Sequence, residues 1–199
     1  MTLPNKLTMG RIVVVPVMVA IACIPWLNQN NIFLNVNYAN FINFILFVLA
    51  SLTDFLDGYI ARKYNLVTTF GKFADPLADK MLVLTSLMIL MVQNANAYFG
   101  NFGFKIVALW AVAIILIREL MVSGIRLVAA QKGEVIAAGM AGKVKTFVTM
   151  IAIGVAFLAG LHNVVAIIAL VLIYVSVILT VYSGIVYFIN AKKIILESV

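Results

Sequence analysis

The sequence has 199 residues, a mean hydropathy of +1.15, 65% hydrophobic and 11% charged residues, and a formal net charge of +7. That composition excludes an ordinary soluble domain and leaves no room for one beside six membrane spans of ~20 residues each. In such a chain the positive charge speaks for membrane topology and an anionic ligand rather than nucleic acid, and the single cysteine, Cys23, excludes an internal disulfide and most thiolate metal sites.

The apolar runs predict an all-α integral membrane protein with spans at 12–27, 38–62, 72–92, 105–130, 144–161 and 164–190. The first span contains Pro16. Lys6 and Arg11 precede it, and Ala20-Ile21-Ala22-Cys23 has a faint likeness to a lipoprotein cleavage site, but the apolar run continues to Leu27 and favours a retained span. Residues 28–37 read as an uncharged, Asn-rich turn. The second span is apolar to Thr53 and then turns acidic and basic through Arg62 and Lys63. After a short loop, the third span places Pro76 in its first turn, where a missing N–H costs little. A second uncharged turn covers 93–104, a polar segment 131–145 precedes the fifth span, and His162-Asn163 separates it from the last.

The basic residues orient these spans. Six spans put both termini on one side, which collects every Lys and Arg except Lys105. By the positive-inside rule that side is cytoplasmic, so the chain reads as a multi-pass protein of the cell membrane with N- and C-termini in the cytoplasm. All the aspartates fall on the same side.

Those aspartates are Asp54, Asp57, Asp75 and Asp79, and no other aspartate occurs in the chain. On a helix Asp54 and Asp57 (i, i+3) share a face, as do Asp75 and Asp79 (i, i+4). A short loop makes the two helices antiparallel neighbours, so the carboxylates converge and need neutralising. All-oxygen ligation favours a hard cation, Mg²⁺ or Mn²⁺. Gly58, Ala61 and Gly71 lack bulk on the same faces, which lets a phosphorylated ligand approach the backbone, and Arg62 suits a bidentate phosphate contact. The plainer reading has Asp75 as an N-cap before Pro76 and Asp54 and Asp57 at a hydrated helix end. Four acids at these spacings, with small residues interleaved, favour a site.

The full pattern is D-x2-D-G-x2-A-R-x8-G-x3-D-x3-D, complete at Asp54, Asp57, Gly58, Ala61, Arg62, Gly71, Asp75 and Asp79. It resembles the signature of the CDP-alcohol phosphatidyltransferases, and the opening L-P-N-K-L-T-M-G-R resembles that family's first segment. The resemblance implies six transmembrane helices around a polar cavity open to the cytosol, and a homodimer. It implies a divalent metal on Asp54, Asp57 and Asp75, with Asp79 sharing in it and acting as general base. It implies contacts to the CDP of a CDP-diacylglycerol donor from Asn5, Thr8, Asp54, Gly58, Arg62 and Gly71.

The acceptor must be read elsewhere. Only twelve apolar residues, Ile106–Ile117, separate Lys105 from Arg118. They span ~18 Å of helix against a hydrocarbon core of ~30 Å, which carries Arg118-Glu119 to membrane depth. Charges there are a functional hypothesis by default; the plain alternative is a structural Arg118–Glu119 pair or snorkelling. Arg126 follows two turns later, and Lys143 and Lys145 open the fifth span. Four cations suit the phosphate of a phosphorylated acceptor. I-R-E-L-M-V-S-G-I-R-L-V-A-A and G-K-V-K-T resemble bacterial family members whose acceptor is sn-glycerol 3-phosphate, with Thr149 as a departure where those members often carry Gln. Another acceptor, such as an inositol phosphate, then serine or phosphatidylglycerol, is the near alternative. An ion-coupled transporter is a distant one, disfavoured by acids gathered at one face and by the lack of an inverted repeat.

Overall fold

The computed structural model of the chain describes residues 3–63, 69–93, 98–99, 104–131 and 139–196, with side chains described for 5–54, 71, 73–93, 106–130 and 139–192. The fold is all-α apart from two short hairpins. In order it comprises α1 (Leu3–Ala22), α2 (Pro25–Gln29), β1 (Asn31–Phe33), β2 (Val36–Asn37), α3 (Tyr38–Lys63), α4 (Thr69–Gln93), β3 (Tyr98–Phe99), β4 (Phe104–Lys105), α5 (Leu109–Gln131), α6 (Met140–Phe157), a 3₁₀ turn (Ala159–Leu161) and α7 (Asn163–Leu196).

The long helices form two groups. α1 packs against α3 and α4, while α5 and α6 both pack against α7. Contacts of α3 with α6, and of α4 with α5 and α6, join the groups. One apolar core runs through both, with Met18, Phe47, Leu82, Leu87 and Leu90 from the first and Ile115, Ile153, Phe157 and Ile173 from the second.

The outer surface is as apolar as the core. Val13, Leu49, Leu52, Leu120, Phe147, Ile178 and Ile185 are all exposed, while Arg11, Asn43, Ser86, Lys145, Thr149 and Thr180 are buried. Polar inside and greasy outside is the pattern of helices that face lipid. The buried hydroxyls satisfy themselves within their own helices: Ser86 donates to the Leu82 carbonyl, Thr149 to Lys145 and Thr180 to Ser176, at 2.6–2.8 Å. Among the described residues three segments, Asn5–Ala22, Met140–Leu161 and Asn163–Lys192, are long and apolar enough to cross a membrane. α4 and α5 carry Asp75, Asp79, Lys80, Arg118, Glu119 and Arg126 in the stretches that would otherwise qualify.

One feature differs from the sequence expectation. α4 begins at Thr69, so Pro76 stands inside the helix and not in its first turn. Its missing N–H leaves the carbonyl of residue 72 without a helical partner. The turn at 28–37 is ordered, because its asparagines make hydrogen bonds. Asn37 Oδ1 accepts the Asn40 N–H at 2.7 Å and so caps α3. Asn28 Oδ1 accepts from Gln93 Nε2 at 2.9 Å, tying α2 to the end of α4.

The β1–β2 hairpin turns at Leu34, which adopts φ 45°, and lies on the turn that joins α6 to α7. Asn35 N–H donates to the Gly160 carbonyl at 3.3 Å. A Cβ on Gly160 would sit 2.2 Å from the Asn35 carbonyl oxygen. Only glycine fits there without moving backbone. Gly160→Ala should cost about 1–3 kcal/mol by overpacking, read as a lower melting temperature in detergent; an unchanged melting temperature would show that the hairpin contact is dispensable.

Candidate active site

The first turns of α1 assemble the acids. Thr8 and Arg11 are i and i+3, share a face and are both buried, with Asn5 one turn earlier on that face and also buried. Thr8 Oγ1 donates to Asp75 Oδ1 at 2.6 Å. Arg11 Nη1 donates to Asp54 Oδ1 at 2.5 Å, with the arginine side chain fully buried and the aspartate 35% exposed. One face of α1 therefore holds one acid from α3 and one from α4. A buried guanidinium is tolerated only with a charged partner, and a carboxylate at this depth has the same need.

Asp79 lies one helical turn beyond Asp75 on α4. Its Oδ1 is buried and has no hydrogen-bond partner among the described residues. Asp54, Arg11, Glu119 and Lys145 are near enough to interact with it electrostatically. Gly71, one turn before Asp75, is buried. The backbone of α3 carries Asp57, Gly58 and Arg62 on the turns after Asp54, but their side chains lie outside the described residues.

The donor chemistry fits a hard divalent cation. The ligating atoms on offer are carboxylate oxygens, and Asp79 Oδ1 is a buried orphan that such an ion would satisfy. Among the described residues, which omit the Asp57 side chain, no three acidic, His or Cys side chains gather closely enough to hold a metal by themselves.

A second cluster faces Asp79 from the other helix group. A small cavity of about 20 Å³, room for one water molecule, is lined by Asp79, Lys80, Glu119, Lys145, Thr146 and Thr149, with Val83 and Leu84. Glu119 Oε1 accepts from Lys145 Nζ at 2.5 Å and from Arg118 Nη1 at 3.0 Å. Arg118 Nη2 also donates to Ser183 Oγ on α7 at 3.1 Å. The small residues of α7 make this possible: a Cβ on Gly184 would come within 3.2 Å of Arg118 Cγ. Lys80 Nζ donates to Ser123 Oγ, and that hydroxyl donates to the Glu119 backbone carbonyl at 2.5 Å.

Of the four cations expected at an acceptor site, Lys145 lines the cavity with Asp79, and Arg118 reaches its edge through Glu119. Arg126 and Lys143 are not on this cavity. Arg126 stacks over the Tyr187 ring, 5.6 Å from its centre, and Lys143 is exposed. Three further residues are hard to read from sequence. Arg11 reads as a topology signal, although its i+3 relation to Thr8 marks a shared face. Lys80 is masked by its neighbour Asp79, and Glu119 reads only as a partner of Arg118.

The clasp from α1 is testable by stability. Arg11→Ala leaves a carboxylate without its buried partner and should cost about 3–5 kcal/mol, whereas Thr8→Ala loses one hydrogen bond to a carboxylate and should cost about 1.5–3 kcal/mol. Equal shifts of the thermal unfolding curves in detergent would show that the ion pair carries no special weight.

Comparison with known proteins fits this geometry. Residues 1–182 match the family model described as CDP-alcohol phosphatidyltransferase. A Bacillus subtilis protein named CDP-diacylglycerol–glycerol-3-phosphate 3-phosphatidyltransferase is 42% identical over 81% of this chain and 77% of its own length. A Rickettsia felis protein of the same name is 37% identical over 96% of both chains. A rice protein named cardiolipin synthase (CMP-forming) is 33% identical over 99% of this chain and 59% of its own. With the acid motif complete and the match running through nearly all of its helices, the chain belongs to the CDP-alcohol phosphatidyltransferase family.

Proposed function

We propose that this protein transfers the phosphatidyl group of CDP-diacylglycerol to sn-glycerol 3-phosphate, giving phosphatidylglycerophosphate and CMP. The observation that carries the reading is local. Asp79 presents a buried, unpartnered carboxylate oxygen beside a cavity that Lys145 also lines. A base next to a cation suits an acceptor that brings both a hydroxyl and a phosphate. The names of the relatives from Bacillus subtilis and Rickettsia felis agree with that acceptor.

In this reading Asp54, Asp57 and Asp75, with Asp79 sharing, hold Mg²⁺ or Mn²⁺. When bound, the cation supplies positive charge against the phosphoryl oxygens and the leaving CMP. Asn5, Thr8, Asp54, Gly58, Arg62 and Gly71 seat the cytidine diphosphate. Asp79 takes the proton of the acceptor hydroxyl. The hydroxyl oxygen then bonds to the phosphorus nearer the lipid, and the bond from that phosphorus to the CMP oxygen breaks. Arg118 and Lys145, with Arg126 and Lys143, draw in the acceptor phosphate. The helices α1, α3, α4, α5, α6 and α7 serve as six spans in the cell membrane, with both termini and the site on the cytoplasmic side, and the enzyme works as a homodimer. The bias of basic residues supports that orientation.

The direct test is CMP release from CDP-diacylglycerol in detergent, with and without Mg²⁺, offering glycerol 3-phosphate, inositol phosphate, serine or phosphatidylglycerol. Release with glycerol 3-phosphate is expected; release only with phosphatidylglycerol would transfer the reading to the reaction named for the rice relative. Asp79→Asn should lower turnover roughly 10²–10⁴-fold while CDP-diacylglycerol still binds, and normal turnover would remove Asp79 as the base. Arg118→Ala should raise the KM for glycerol 3-phosphate ~10-fold or more, the loss of one charge-assisted hydrogen bond, with a much smaller change for the lipid substrate. Equal changes for both substrates would take Arg118 out of acceptor recognition.

A further inference from the structure

The cavity beside Asp79 contains a cation outside the set expected from the sequence. Lys80 follows Asp79 on α4, and its side chain lines the same cavity from the α4 wall. Arg118 and Lys145 both spend their charge on Glu119, at 3.0 and 2.5 Å. Lys80 does not: its ammonium rests on the neutral hydroxyl of Ser123, and among the described residues no carboxylate forms a salt bridge with it. The three cations Arg118, Lys145 and Lys80 face two carboxylates, Glu119 and Asp79, which leaves one positive charge in excess beside the cavity. An anionic phosphate monoester suits that excess.

Ser123 has one place to put its proton, the Glu119 carbonyl one turn earlier at 2.5 Å. Its lone pairs are thereby turned towards Lys80. Ser123 sits on α5 and Lys80 on α4, so this bond links the helix that carries Asp79 to the helix that carries Glu119. Asp79 and Lys80 are consecutive, and a hydroxyl at Asp79 and a phosphate at Lys80 would belong to one small acceptor.

We propose that Lys80 is a specificity-determining residue of the acceptor site, parked by Ser123 and reading the phosphate monoester of the acceptor directly. This rests on the transfer reaction proposed above. Lys80 is half-buried, and its flexible four-carbon stem lets the ammonium leave the serine and follow the phosphate. Ser123 acts through Lys80 as a positioning residue. The role is distinct from that of Lys145, whose ammonium is already held by Glu119.

The discriminating measurement is a ratio. CMP release is followed with glycerol 3-phosphate and with glycerol, for the wild type and for Lys80→Met, Lys80→Arg and Ser123→Ala. Lys80→Met should cut the preference for the phosphorylated acceptor at least 10-fold, by raising its KM, and leave the KM for CDP-diacylglycerol within about 2-fold, on the order of one charge-assisted contact. Lys80→Arg should recover most of the preference, and Ser123→Ala should lower it by a smaller factor. If Lys80→Met depresses both acceptors equally, or raises the lipid KM as much, the residue is structural and the proposal falls. If the wild type takes inositol phosphate instead, the glycerol assignment fails by itself, and the same ratio measured for inositol phosphate against inositol decides the role of Lys80.

Discussion

The ion pair between Arg11 and Asp54 sets the terms for everything around it. A guanidinium with no exposed surface, in a protein whose exterior is apolar, has to meet a carboxylate within its own bundle. That requirement fixes how α1 lies against α3. Thr8, one turn earlier, fixes how it lies against α4 through Asp75. Two side chains on one face of one helix thus set the relative position of two others, and the spacing of the acids follows. The apolar core could be filled by many packings; polar pairs in a greasy setting select among them.

The site itself is divided between the two helix groups. The first contributes the acids and their clasp. The second contributes Glu119 and Lys145, held by Arg118 and by the small residues of α7. Asp79 sits where the two meet.

The helical, apolar character of the chain was legible in its sequence because composition alone carries it, and the acid motif was legible because four aspartates in a hydrophobic chain have few other uses. The partners of those acids were not. Nothing in the local pattern says that Arg11 reaches α3 across 43 positions of sequence, and its charge is equally well explained by membrane topology. Lys80 was obscure for the same reason, since its bond to Ser123 also spans 43 positions. Arg126 has a contact that helical spacing does not show, since its guanidinium lies over the Tyr187 ring on α7. The place of Pro76 is hard to read because helix starts are weakly marked in sequence, and α4 begins at Thr69, well before the proline.

The clasp on α1 also bears on biogenesis. Helices are delivered to the membrane in chain order, and α1 precedes the two that carry the aspartates. Thr8 and Arg11 are therefore made before Asp54 and Asp75, so the partner of each acid already exists when the acid is synthesised.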